Sequence, residues 1–239
     1  MSLLNSSAAD LLARLRSGEL SAETLMAQVL DRIGAVNGTV NAIVALRPRA
    51  ELLAEADRAD ATPRVGWLHG IPIAIKDLSD AEGLPTAKGS PLFAGAIAQK
   101  DSVFVARIRA AGAIIIGKTN TPEFGLGSHT FNPVYGPTRN PYDHTRSAGG
   151  SSGGAAAALA TGMLSIADGS DMMGSLRNPA GWNNVYGMRP SWGTVPAEPE
   201  GDMFLHQLSM AGPGLPDHNK KNQTQEDCLA HELVLFSLQ

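Results

Sequence analysis

Residues 148–162 read AGGSSGGAAAALATG, two serines between paired glycines, running straight into alanines. The meaning of this stretch decides how the rest of the chain is read. A phosphate-binding loop would need Lys and Ser or Thr after its last glycine, and only alanines follow Gly154. Residues 149–153 carry the letters G-x-S-x-G of a nucleophile elbow. That elbow must follow a buried strand, and the preceding NPYDHTR is not one. A Gly-Ser linker does not usually open an alanine-rich helix. The plain reading that remains is a tight turn feeding a helix over about 155–161. It explains the glycines and leaves the serines without a purpose.

Outward from this turn the pattern changes character. In residues 7–33, Leu11, Leu12 and Leu15 recur at helical spacing, Ser17-Gly18 reads as a turn, and Ser21 is placed to cap a second helix carrying Leu25, Val29, Leu30 and Ile33. A third helix is expected from about Pro48 to Ala59, so the N-terminal stretch reads as a helical cap. GIPIAIKD (70–77) and AIIIG (113–117) are short apolar runs that read as buried strands, with a helix over Ser102–Ala110 between them. Strand, helix, strand predicts a three-layer α/β arrangement. Residues 117–154 are rich in Gly, Pro, Asn, Thr and Ser and read as loop, and residues 214–239 are mostly polar.

Bulk properties exclude several classes. The 239 residues, 43% hydrophobic and 18% charged, suit a globular protein with a sizeable core. A net charge of −4 with scattered Lys and Arg argues against a nucleic-acid surface. A single cysteine, Cys228, allows no internal disulfide and no cysteine metal cluster, and fits a reducing, cytoplasmic setting. No apolar run reaches membrane-spanning length, and the N-terminus lacks the order of a secretory signal. No H-E-x-x-H, no convergent metal spacing and no S-x-x-K occurs, so neither a metal nor a cofactor is expected.

The decisive context lies on both sides of the serine turn. LHGIPIAIKDL (68–78), GLPTAKGSPLF (83–93), AGAIIIGKTNTPEFG (111–125), GPTRNPYD (136–143), AGGSSGGAAAALA (148–160) and GSDMMGSLRNPA (169–180) together resemble the amidase signature family, through nearly every block to about Pro213. The resemblance implies an α/β fold of three layers (α/β/α) with a mixed central sheet. It implies that residues 1–213 are the N-terminal part of such a domain, with a helical cap over about 1–60 and a catalytic α/β part over about 61–213. Residues 214–239 are an atypical polar tail. Family members normally continue further, so the sheet is expected to be incomplete, with an open edge and apolar surface that favour weak stability, self-association or an unfinished site.

The resemblance also implies a Ser-cisSer-Lys triad: Ser175 as nucleophile, Ser151 as bridging serine after a cis peptide bond, and Lys76 as base. The residue types suit the task. A serine hydroxyl needs a base to become a good nucleophile, and an ammonium cannot accept a proton. Burial at the end of the apolar strand would keep Lys76 neutral. The backbone N–H groups of Met172, Met173 and Gly174 are the implied oxyanion hole, where one donor is worth about 2.7–4 kcal/mol. Asp171 and Arg177 read as a structural ion pair beside the site. Taken alone, Lys76 reads as the partner of Asp77 or another carboxylate, Ser151 and Ser152 as turn residues, and Ser175 as a cap before Pro179. His69, His129 and His144 read as hydrogen-bonded loop residues.

One position departs from the family pattern inside the signature. Met173-Gly174 stands where Gly-Gly is usual. If the first position needs positive φ, the methionine costs roughly 1–3 kcal/mol; if not, it narrows or greases the substrate entrance. The expected function is hydrolysis of a small carboxylic amide through a serine acyl-enzyme. The alternatives are a noncatalytic interaction or structural form, and the glutamine-hydrolysing subunit of a tRNA-dependent amidotransferase. Expected partners are a small amide and, for an open sheet edge, a second copy of the chain.

Overall fold

The computed structural model describes residue 3 and residues 6–191, 194–195 and 210–216. In chain order its elements are α1 (Ala8–Ser17), α2 (Ala22–Val40), β1 (Ile43–Val44), α3 (Arg49–Ala61), β2 (Pro72–Lys76), α4 (Val103–Ala110), β3 (Ile114–Thr119), α5 (Gly153–Ala160), β4 (Ala167–Asp171), α6 (Arg177–Asn183), β5 (Val185–Gly187) and β6 (Met210–Pro216). The chain is a mixed α/β protein with a mixed, open sheet. β3 lies between β1, which is antiparallel to it, and β2, which is parallel. The parallel pair is joined through α4, as a parallel connection requires. A second three-stranded group runs β4-β6-β5, all antiparallel. β6 passes through residue 213, where the sequence turns polar, and continues to Pro216. The polar stretch beyond it lies outside the described residues.

The N-terminal helices form as their apolar spacing dictates. Ser7 accepts from Asp10 N–H at 3.1 Å and Ser21 from Thr24 N–H at 3.1 Å, so each hydroxyl satisfies a backbone donor that the helix cannot. α1 buries Leu11, Leu12 and Leu15, and α2 buries Leu25, Met26, Val29, Leu30 and Ile33. Asp60 at the end of α3 accepts from Ala22 N–H (2.7 Å) and Glu23 N–H (3.0 Å), tying α3 to the start of α2. α2 runs seven residues beyond Ile33 because its glycines interrupt the apolar pattern without stopping the helix. Gly34 and Gly38 face open space. Gly34→Ala and Gly38→Ala should each stabilise the protein by up to about 1 kcal/mol, seen as a rise in thermal midpoint. A fall would mean that these positions are not free.

β2 and β3 are buried at every residue. The opening motif supplies the third element of this core. α5 is buried from Gly153 to Leu159, and it packs on β1, β2, β3 and β4. At Gly154 a Cβ would lie 2.7 Å from the carbonyl oxygens of Ala42 and Asn120, and closer still to Asn120 N. This glycine therefore serves close approach of two backbones. The tight-turn reading is correct in outline, with the helix starting two residues earlier than expected.

Candidate active site

β2 ends inside the core, and so does its last side chain. Lys76 is 1% exposed. Its Nζ donates to Ser151 Oγ at 2.7 Å, Ser152 Oγ at 2.9 Å and Ser170 Oγ at 2.9 Å. As an ammonium Lys76 can place its three donors on these three hydroxyls; as a neutral amine it keeps two N–H donors and accepts through its lone pair. Burial pulls the amine down to about 7, against the raising influence of Asp168 and Asp171. Lys76 is not the partner of Asp77. The Asp77 carboxylate instead accepts from Ala87 N–H (3.0 Å) and Gly89 N–H (3.2 Å), and burial raises it to about 6 against the pull of Lys118.

The Gly150–Ser151 peptide bond is cis. Ser151 and Ser152 are both buried. The turn is held from outside: Gly153 N–H donates to Thr130 Oγ1 at 3.1 Å, and Ser152 N–H donates to Ser175 O at 3.0 Å. The second bond brings the backbone of Ser175 against the serine turn. Ser175 is half-buried, and among the described residues its Oγ has no hydrogen-bond partner. The structure therefore joins Lys76 to Ser151 directly and sets Ser175 beside them without a hydroxyl-to-hydroxyl bond.

The loop after β4 is organised by Asp171. Its carboxylate is fully buried and meets Arg177 in a two-point pair, Nε–Oδ2 2.9 Å and Nη2–Oδ1 3.0 Å. It also accepts from the N–H groups of Gly174 (2.8 Å), Leu176 (3.2 Å) and Arg177 (3.3 Å). Burial alone would raise this acid, but Arg177 and the three N–H groups overcome it and hold the carboxyl at about 2. Gly174 takes φ +107°, while Met173 stays outside the left-handed region. The glycine requirement thus falls on the second position of the pair, and the methionine carries no strain of that kind. The Met173 side chain is 86% exposed. Gly174 N–H is bound to Asp171, whereas the backbone N–H groups of Met172 and Met173 have no partner among the described residues.

Three further residues meet at this site that sequence reasoning leaves without a chemical role. Ser152 reads as a turn residue, and Ser170 and Asp168 stand unremarked around the GSD block. Asp168 Oδ1 accepts from Lys76 N–H at 2.7 Å, and burial raises this carboxyl to about 6. The signal that could find the last two is the period of two: residues 168 and 170 share one face of a strand. It is hidden because DGSD does not look like a strand. Of the three histidines, His69 lies between Ala59 O (2.8 Å) and Val65 N–H (3.3 Å), and the His129 ring lies 5.4 Å from that of Trp182. No group of three His, Cys, Asp or Glu among the described residues could hold a metal ion, and no described helix is long and apolar enough to cross a membrane.

A mixed α/β fold that buries a lysine amine among serine hydroxyls is the class of protein defined by these observations. The chain belongs to the amidase family, whose family model, described as Amidase, matches residues 24–214. It is 43% identical over 215 residues to an indoleacetamide hydrolase of Bradyrhizobium diazoefficiens, a match covering 87% of this chain and 41% of that protein. It is 41% identical over 186 residues to a subunit of the glutamyl-tRNA(Gln) amidotransferase of Saccharolobus solfataricus, covering 78% of this chain and 38% of that protein. The chain thus spans about two fifths of the length of these relatives. Among solved structures it resembles the peptide amidase of Stenotrophomonas maltophilia, with a TM-score of 0.77 and 35% identity, covering 88% of this chain and 45% of that one.

Proposed function

We propose that the chain carries the catalytic residues of an amidase that cleaves a small carboxylic amide through a serine acyl-enzyme. The observation that carries this reading is the 2.7 Å bond between the buried Lys76 Nζ and Ser151 Oγ. In the proposed cycle Ser175 Oγ forms a bond to the amide carbon while the carbonyl π pair moves onto oxygen. The Ser175 proton passes to Ser151 Oγ, and the Ser151 proton passes to the neutral Lys76 Nζ. The backbone contact between Ser152 N–H and Ser175 O, at 3.0 Å, supports Ser175 as the hydroxyl that enters the relay. The N–H groups of Met172 and Met173 receive the oxyanion, and that of Gly174 joins them only by sharing its bond to Asp171. The C–N bond then breaks, and the leaving amine takes the proton back along the relay. Water adds to the ester and releases the acid. Residues 1–213 are the N-terminal part of the amidase domain in this reading. The amidotransferase subunit among the relatives keeps glutamine hydrolysis as the alternative substrate reading.

A fluorophosphonate that phosphorylates active serines tests the reading. It should label this chain, the label should vanish in Ser175→Ala, and the labelling rate should climb with pH through about 7, where Lys76 loses its proton. Absence of labelling in the unmodified chain would favour the noncatalytic alternative. Ammonia release from simple aryl and aliphatic amides, set against release from glutamine, separates the two substrate readings.

A further inference from the structure

Asp168 has a contact that the proposed cycle does not use. It is 5% exposed, and its Oδ1 accepts the backbone N–H of Lys76 at 2.7 Å. Two positions along the same face of β4, Ser170 Oγ accepts from the side-chain Nζ of the same lysine at 2.9 Å. One strand face therefore grips Lys76 at both ends. β2 is paired along β3 but forms no ladder with β4 among the described residues. The Asp168 carboxylate takes the Lys76 N–H on that unpaired side.

We propose that Asp168 is a positioning residue for Lys76, which fixes its backbone through Oδ1 and stands as the buried counter-charge when the amine takes up a proton. This rests on the reading of Lys76 as the base. The other charged groups around the pair are accounted for. Asp171, on β4, is bound to Arg177, and Arg189 Nε lies 3.6 Å from its Oδ1. Asp77, at the end of β2, is held by two backbone N–H groups. Lys118, on β3, is buried and donates to Ser79 O and to Thr86 Oγ1, the latter at 3.3 Å; burial lowers its proton affinity while Asp77 and Asp168 raise it. Asp168 is thus the buried carboxylate bonded to the base's own residue that no arginine already neutralises.

The test compares the full chain with Asp168→Asn, whose amide oxygen keeps an acceptor for Lys76 N–H while the charge is removed. NMR of the Lys76 side-chain carbons, assigned with Lys76→Met, reads the titration directly and needs no turnover. Losing the counter-charge should move the Lys76 titration down by about one pH unit or more. The fluorophosphonate labelling limb should move with it. An unmoved Lys76 titration in folded Asp168→Asn overturns the proposal. Lys76→Met supplies the reciprocal reading should Asp168→Asn not fold, since deleting the amine should move the Asp168 carboxyl titration upward, and no movement again overturns it. A shift seen by NMR without any labelling of the unmodified chain would uphold the pairing and refute the amidase reading.

Discussion

Lys76→Met should sharply slow serine labelling and the proposed amide turnover while making the protein's stability less dependent on pH. The kinetic loss is expected at roughly 10²–10⁴-fold, the contribution of a positioned general base. The stability effect follows from the same burial. Lys76 takes up its proton at about 7 in the folded chain against an ordinary 10.5. Between these values the unfolded chain binds more protons than the folded one, so stability rises with pH across this window, by about 1.4 kcal/mol per pH unit for a single group. Below about 7 the penalty is complete, and above the ordinary value it is gone. Methionine removes this effect at the cost of three hydrogen bonds from Nζ, each worth about 1 kcal/mol. The checkable outcome is the difference in thermal midpoint between the two proteins. The parent should gain on the variant as pH rises from neutrality, and a pH-independent difference would show that Lys76 is charged in the fold. Lys118 adds a slope of the same sign to both proteins and cancels in the comparison.

Gly154→Val is the second large expectation, and it concerns assembly rather than chemistry. A side chain here would press on the backbone of Asn120 at the end of β3 and on the carbonyl of Ala42 before β1. None of these is a flexible tip that can swing away. Overpacking of this kind costs about 3 kcal/mol or more, a large share of the roughly 5–15 kcal/mol that holds a domain together. The midpoint should fall by about 6–12 °C, and Gly154→Ala should show a smaller loss of the same sign. A midpoint equal to that of the parent would mean that α5 does not sit against β3 as described.

Much of the architecture is legible along the chain because burial and periodicity coincide in it. β2 (PIAIK) and β3 (IIIGKT) each open on a short apolar run, whose length marks a strand rather than a helix. α1 and α2 announce themselves through leucine spacing and serine caps. The elements that escape such reading are those whose residues answer to neighbours rather than to local preference. β4 reads ADGSD, with glycine and two aspartates where a strand former is expected. Its side chains are polar because Asp168 and Ser170 hold Lys76 and Asp171 holds the loop beyond. α6 carries Pro179, which its first turn tolerates because that position makes no intrahelical N–H bond. At the site, the match to a family points to Lys76 and Ser151, and the fold brings those two together. Ser152 and Ser170 cannot be told from turn residues, since nothing along the chain says which hydroxyls will converge on a single amine. The fate of Met173 depends on a backbone angle, and composition carries no record of which of two adjacent residues will take it.

The alanine helix α5 has a consequence for how variation in this protein should be read. It is enclosed on all sides from Gly153 to Leu159, so almost any larger residue is excluded there. A saturation mutagenesis map would score these positions as intolerant as Lys76, although none of the helix side chains enters the proposed relay. Separating the two kinds of intolerance requires an abundance readout beside an activity readout. Bulky substitutions along α5 should remove the protein from the cell, whereas Lys76→Met, which keeps the length and apolar stem of the side chain, should leave it present and inert.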